Sequence, residues 1–352
     1  MSAPTNLSAA SAPADAPWLS LLLPVFHVGA AMDACFRSIL DQRAAGIELV
    51  IVDDASSADD AARIESWRAR HPDVLRVVRH ARNAGVSAAR NTLLDHARGT
   101  WLWFVDPDDI MEPGALAALR AIVDAGAPDL VMCDFRTFDD TPEAPGTELR
   151  PDRVRRPHVR SFEGPSGAQS SDREALVAGL FRTGQLHPWS KIVRRETWPA
   201  ALRFPPGRVF EDLAVFPRVA LAARTYVHVP QVWISYRQRA GSVLASLDER
   251  KLDDWTLALT GYARDLRHSP LKPDADMLFE VAHFCARTLL RAIRRHDRLA
   301  PRKASMPALR VYVERWRESS PLDDRALRRA YLARGMIGRW AQWRWTMWRL
   351  GR

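Results

Sequence analysis

The chain has 352 residues, 47% hydrophobic and 26% charged, which suits one large domain or two modest ones and excludes a fibrous or wholly disordered chain. Three scattered cysteines, Cys35, Cys133 and Cys285, with no CxxC or Cys/His cluster, disfavour a disulfide framework and a structural zinc site and fit a reducing compartment. The net charge of +9 is uneven: residues 281–352 carry 18 Arg and Lys against 5 Asp and Glu, so the first 280 residues are mildly acidic.

Residues 1–17 are rich in Ala, Ser and Pro, without a basic n-region or an apolar h-region, and predict a disordered leader rather than a signal peptide. Residues 20–25 read as a buried strand. Residues 30–42 have helical spacing, with Met32, Cys35, Phe36, Ile39 and Leu40 on one side. A second strand (48–53) and a second helix (57–70, with Ser57 as N-cap) follow. Next come a short strand at 75–78, a helix at 86–97 with a C-cap signal at Gly99, and an aromatic strand at 100–105 that runs into acids. Residues 113–125 predict a helix and 130–135 a strand. Residues 139–167, rich in Pro, Gly and charge, read as a loop or extended insertion. A helix (173–182), a strand (189–193), a helix (211–223) and a strand (231–236) complete this part, and from about residue 250 the pattern is helical.

Alternating strands and helices with near-continuous apolar strands predict a parallel sheet covered by helices. In such sheets ligands bind beyond the carboxyl ends of the strands. Acidic pairs sit there: Asp53-Asp54 after one strand, and Asp106-Pro107-Asp108-Asp109 after another. Carboxylates one residue apart in a turn can converge on a hard cation such as Mg²⁺ or Mn²⁺, or can simply cap the next helix. Taken alone, Asp53-Asp54 reads first as a helix N-cap with neighbouring acids and only second as an acceptor for a nucleobase N–H or a ribose hydroxyl. The segment from Arg82 through Gly85 to Arg90 is either an anion-facing helix start or a capped loop. Glu211-Asp212 opens a helix, where the macrodipole favours acids, or supplies a general base.

In order and spacing, the segments SLLLPVFHVGAAMDACFRSILDQ, ELVIVDDASSAD, RNAGVSAARNTLLDHARGTWLWFVDPDD, HPWSKIVRRE and VFEDLAVFPRVALAA…WISYRQRAGSV resemble family 2 glycosyltransferases of the bacterial surface-polysaccharide type, over about residues 19–243. The resemblance implies an α/β GT-A (Rossmann-like) fold, with a mixed, mostly parallel sheet flanked by helices. It implies that Asp54 reads the base of a nucleoside diphosphate sugar and that Pro24 and Phe26 line the base pocket. Asp106 and Asp108 match the two acids of the family's DxD, the second binding the divalent cation (Mg²⁺ or Mn²⁺), and Asp109 matches an acid near the sugar. Asp212 matches the catalytic base, with Glu211 beside it. Arg90 and Lys191 match basic positions near the nucleotide, while Tyr236 and Arg237 match a segment that packs the domain closed. Departures are Phe26-His27 where the family usually has Tyr-Asn, Ala55 where Gly is common, and Pro107 inside the DxD; none removes a carboxylate.

The activity implied is inverting, metal-dependent transfer of a sugar, with UDP the commonest donor nucleotide of the family, to a hydroxyl of a glycan or lipid-linked acceptor. The competing readings are a catalytically silent member acting as a membrane-associated assembly subunit, against which the intact acids speak, and a nucleotidyltransferase, whose glycine-rich Lys loop is missing. The expected organisation is a leader (1–17), a catalytic domain (18–245) and a basic, Trp-rich helical extension (246–352). On a helical projection Met336, Trp340, Trp343, Met347 and Leu350 share one face and Trp345 points the other way. That face either meets an anionic membrane surface or packs on the protein. The basic tail lacks any nucleic-acid module, so nucleic acid is not an expected partner. The expected location is cytoplasmic, peripheral on the inner face of the plasma membrane.

Overall fold

A computed structural model describes residues 16–139, 154–238, 247–299 and 302–350; most of the leader, the centre of the 139–167 insertion and the AGSV end of the last motif lie outside the described residues. The first part alternates as the apolar runs predict: β1 (Leu19–Val25), α1 (Ala31–Leu40), β2 (Ile47–Asp53), α2 (Ala58–Arg70), β3 (Leu75–Arg79), α3 (Val86–His96) and β4 (Trp101–Phe104). These strands pair in parallel in the order β3-β2-β1-β4. Ser57 caps α2 as expected, its side chain accepting from the Asp60 N–H.

All seven residues of β1 and of β2 are buried because helices cover both faces. Their side chains alternate between two cores. Leu22, Val50 and Val52 join the core beneath α3 and the later helices. Leu21, Leu23, Leu49 and Ile51 join the core beneath α1 and α2. Gly99 is not the helix cap: α3 ends at His96 and Ala97 holds the C-cap position. A Cβ at Gly99 would lie 2.4 Å from the Ser20 nitrogen, so glycine is there to let the chain pass close to β1.

The sheet continues through β5 (Ile110–Met111), α4 (Ala115–Gly126), β6 (Leu130–Asp139), β7 (Val154–Val159), β8 (Gln169–Ser170), α5 (Arg173–Thr183), β9 (Lys191–Arg194), α6 (Glu211–Ala222) and β10 (Tyr226–Gln238). It is mixed rather than purely parallel. The strand β9 enters between β4 and β6, antiparallel to both, while β10 runs parallel to β6. The insertion expected as loop or extended chain contributes β7, antiparallel to β6. The strand expected from residue 189 starts at Lys191, because Pro188–Ser190 form a 3-10 turn. β10 is longer than predicted; its register shifts between Val229 and Ile234, where Pro230 supplies no N–H to a ladder.

Six helices follow: α7 (Glu249–Leu257), α8 (Tyr262–His268), α9 (Ala275–Leu299), α10 (Arg302–Ser319), α11 (Asp324–Ala333) and α12 (Ile337–Leu350). One stripe of α9, including Met277, Val281, Cys285, Leu289 and Ile293, is buried against α5 and its neighbours. The core beneath α3 therefore runs without a break to Trp343 and Leu350.

This settles the alternative left open for the α12 face. Trp343 is fully buried, its ring 4.8 Å from that of Trp316 and its Nε1–H donating to Asp324 Oδ1 at 2.9 Å. Leu350 is buried, and Met336, Trp340 and Met347 are packed half-buried on the same core. The face offered as a membrane surface thus packs inward, because α9, α10 and α11 present an apolar cradle for it. No helix among the described residues is long and apolar enough to cross a membrane.

Candidate active site

The carboxyl ends of β1, β2 and β4 open on one side of the sheet, where the acids predicted from sequence collect. Pro24 lies in the buried last stretch of β1, before its final residue Val25, and Phe26 just beyond the strand is 45% exposed, its ring 4.1 Å from that of His27. A large aromatic displayed at a strand end is suited to cover the face of a base.

Asp54 follows β2 and is buried. Its Oδ1 accepts from His80 Nδ1 at 2.6 Å and the Ala84 N–H at 2.9 Å. Its Oδ2 accepts from Asn83 Nδ2 at 3.0 Å and the Gly85 N–H at 2.8 Å. All four partners belong to this chain, so Asp54 shapes the 80–85 loop that leads into α3. Gly85, at φ +87°, makes the turn into that helix. Ala55 sits at φ +58°, a left-handed backbone that costs a non-glycine residue roughly 1–2 kcal/mol. Ala55→Gly is expected to stabilise the protein by about 0.5–1 kcal/mol after glycine's extra chain entropy, read as a higher urea midpoint at unchanged slope.

Arg90, on the second turn of α3, is buried at the centre of the site. Its guanidinium pairs with Glu211 and reaches Asp106 Oδ1 at 3.1 Å. It thereby ties the loop after β4 to the start of α6. Burial works against its charge, but Glu211 and Asp106 more than offset this and hold its pKa above the ordinary arginine value. Asp212 accepts the Leu213 N–H on Oδ1 at 2.7 Å, and its Oδ2 lies 3.7 Å from His187 Nδ1. Burial raises the pKa of both Glu211 and Asp212, with Arg90 opposing.

Two predicted residues lie behind this face. Asp109 is fully buried, its Oδ1 accepting the Arg237 N–H at 2.8 Å, while Arg237 Nε donates to the Asp108 carbonyl at 2.7 Å. These bonds staple the DxD loop to β10. Lys191 is also buried, its ammonium donating to the Gln185 carbonyl (2.6 Å), the His187 carbonyl (3.2 Å) and Ser190 Oγ (2.7 Å). Desolvation lowers its pKa to about 7. Its donors are spent on the turn that displays His187.

His187 lies in the HPWSK segment, whose lysine alone drew notice in the sequence. The imidazole stacks on Trp189 at 4.8 Å and 5°, and Tyr236 stacks on Trp189 at 5.3 Å. Burial, together with Lys191, pushes its pKa down to about 4, so it stands neutral beside Asp212 near pH 7. No sequence signal marks a second support. Phe210, at φ +61° just before Glu211, stacks on Trp255 of α7 at 5.4 Å, and the Val209 N–H donates to Asp254 Oδ2 at 3.2 Å. The cost of that left-handed Phe210 is met by packing from a helix far along the chain, which holds the entry to α6 in place.

Residues 20–169 match the family described as Glycosyl transferase family 2. Glycosyltransferase GlyG of Streptococcus pneumoniae is 23% identical over 231 residues, 64% of this chain and 72% of that protein. Among solved structures, S. aureus TarS 1-349 in complex with UDP-GlcNAc aligns with a TM-score of 0.66 at 19% identity, covering 92% of this chain and 89% of that one. The mannosyltransferase PcManGT from Pyrobaculum calidifontis, in complex with GDP-Man and Mn²⁺, aligns at TM-score 0.50 and 16% identity, covering 86% of each chain.

Proposed function

We propose that this chain, whose residues 20–169 match the family described as Glycosyl transferase family 2, transfers a sugar, with inversion, from a nucleoside diphosphate donor to a hydroxyl of a glycan or lipid-linked acceptor in surface-polysaccharide assembly. The observation that carries this is the Asp106–Arg90–Glu211 chain, which sets the DxD loop against Asp212 beyond the carboxyl ends of the parallel strands. UDP is the favoured donor nucleotide, supported by the UDP-GlcNAc held by the TarS neighbour.

Asp106 and Asp108 are the residues that would hold a divalent cation. Their fit rests on chemistry: both are hard oxygen donors in one rigid turn, and Asp106 keeps a half-open carboxylate. Among the described residues no group of three His, Cys, Asp or Glu that could hold a metal ion is found. When bound, Mg²⁺ or Mn²⁺ supplies charge neutralisation for the departing diphosphate. Phe26 covers the base, and Asp54 acts on the nucleotide through the 80–85 loop it shapes. Asp212 takes the proton of the acceptor hydroxyl as the new bond forms. Arg90 fixes the distance between the two acidic motifs, and neutral His187 with Tyr236 offers an aromatic wall beside Asp212.

Purified protein assayed with UDP-, GDP- and dTDP-sugars should release nucleoside diphosphate with Mg²⁺ or Mn²⁺ and stop when the metal is chelated. Asp108→Ala should lower release by a factor on the order of ten or more at fixed metal, with raised metal demand. Failure of any donor to bind in the presence of either metal would remove the proposal.

A further inference from the structure

The turning inward of the expected face of α12 leaves a different face outward. Ile337 (66% exposed), Trp345 (56%) and Trp348 (53%) project from the side of α12 opposite to buried Trp343, Thr346 and Leu350, and Leu332 of the preceding α11 is 50% exposed. Four of the eight large hydrophobic side chains exposed among the described residues therefore crowd the last two helices. Clustering on that scale marks an interaction surface, whereas single exposed residues do not.

The charge around them is of one sign. From residue 325 to the end the sequence has eight arginines and no acid. Arg344 is exposed on the same side as Ile337 and Trp348, whereas Arg339, though exposed, lies about half a turn round α12, toward Arg287 of α9. Acids of the neighbouring helices are already paired: Asp297 with Arg349 at 2.7 Å, Asp324 with Arg328 at 2.8 Å, and Asp276 with Arg182 at 2.7 Å. On the adjoining α9, Arg287 has a buried Nε–H without a hydrogen-bond partner. Burial and the cations of Arg291 and Arg339 lower its pKa, with Glu280 opposing.

We propose that the outward face of α11 and α12 docks on an anionic lipid bilayer, with Ile337, Trp345 and Trp348 entering the headgroup boundary and Arg344 meeting lipid phosphates. Tryptophan and arginine on one exposed helical face are the combination an interfacial helix uses. A second copy of the chain is a poor occupant, since a two-fold contact would bring the same arginines against themselves. Nucleic acid would meet the arginines but would leave Ile337 and Leu332 without an apolar partner. The proposal is independent of the donor chemistry.

The full chain should co-sediment with phosphatidylcholine vesicles carrying about one third phosphatidylglycerol, bind phosphatidylcholine alone far more weakly, and lose affinity as salt rises. Tryptophan emission should shift to the blue on binding. The double variant Trp345→Ala/Trp348→Ala should lose roughly tenfold or more in vesicle affinity, and Arg344→Glu should weaken binding to the anionic vesicles selectively. Because these side chains are exposed, both variants should keep the wild-type melting temperature and the release of nucleoside diphosphate from free donor. Three results would overturn the proposal: no binding to the anionic vesicles at low salt, undiminished binding by the tryptophan variant, or a dimer that the tryptophan variant dissolves in a protein that ignores vesicles.

Discussion

Asp212→Asn is expected to lower kcat by roughly 10²–10⁴-fold, the range a positioned general base contributes, while the donor KM stays within a few-fold of wild type. Asparagine preserves the acceptor for the Leu213 N–H and the shape of the first turn of α6, but it cannot take a proton. The pH profile separates this role from a merely structural one. Burial raises the Asp212 pKa above that of an ordinary aspartate. The base is active when deprotonated, so wild-type kcat should fall as pH drops through that raised value. Residual activity of Asp212→Asn should lack this acid limb. A variant with a proportionate rise in donor KM and an intact acid limb would move the base to another group, with Glu211 the first candidate. Glu211 is less suited, because its carboxylate is already held by Arg90.

His187 bears on the same limb. With its pKa near 4 it carries no charge through the neutral range, so it cannot lower the Asp212 pKa by pairing with it. What it adds next to the base is a flat, neutral surface continuous with Trp189 and Tyr236. An environment of that kind keeps a carboxylate basic, whereas a nearby protonated imidazole would weaken it.

The sheet order near the site follows from patterns that a linear reading can detect. β1, β2 and β4 are short apolar runs each stopped by a turn or an acid, and a buried parallel strand has that signature. The acids at their ends were conspicuous for the same reason. What the sequence withheld was partnership. Lys191 and Asp109 carry charges, and charge alone suggests contact with a ligand, yet both are buried with bonds to the chain. Only three-dimensional packing reveals that Gln185, His187 and Arg237 stand within reach of them. The α12 stripe makes the same point in reverse. Helical spacing located Met336, Trp340, Trp343, Met347 and Leu350 on one face, but spacing is blind to what that face meets. The cradle of α9, α10 and α11 determined it, and the tryptophan that spacing set apart, Trp345, became part of the exposed surface. β5 and β8, with two residues each, are too short to carry a period at all.

Removing the Arg90 guanidinium should cost substantial stability. Arg90→Met keeps the aliphatic bulk on α3 and deletes the guanidinium, leaving Glu211 buried without its cation and Asp106 without its 3.1 Å partner. Breaking a buried pair from one side typically costs about 3–5 kcal/mol, because the remaining charge keeps its desolvation penalty. The sign of the pH dependence follows from Glu211, whose pKa is already raised by burial despite Arg90. A carboxyl with a raised folded pKa favours the folded state when protonated and loses that contribution as pH rises through the folded value. Without Arg90 that pKa rises further. The deficit of Arg90→Met should therefore be largest near pH 8 and shrink toward pH 5, as read from urea midpoints across that range. Arg90→Met/Glu211→Gln should recover much of the loss at pH 8, since a neutral amide removes the stranded charge. A single-variant deficit independent of pH, or no recovery in the double variant, would mean that Arg90 acts chiefly by packing on Phe204 and not by linking the two acidic motifs.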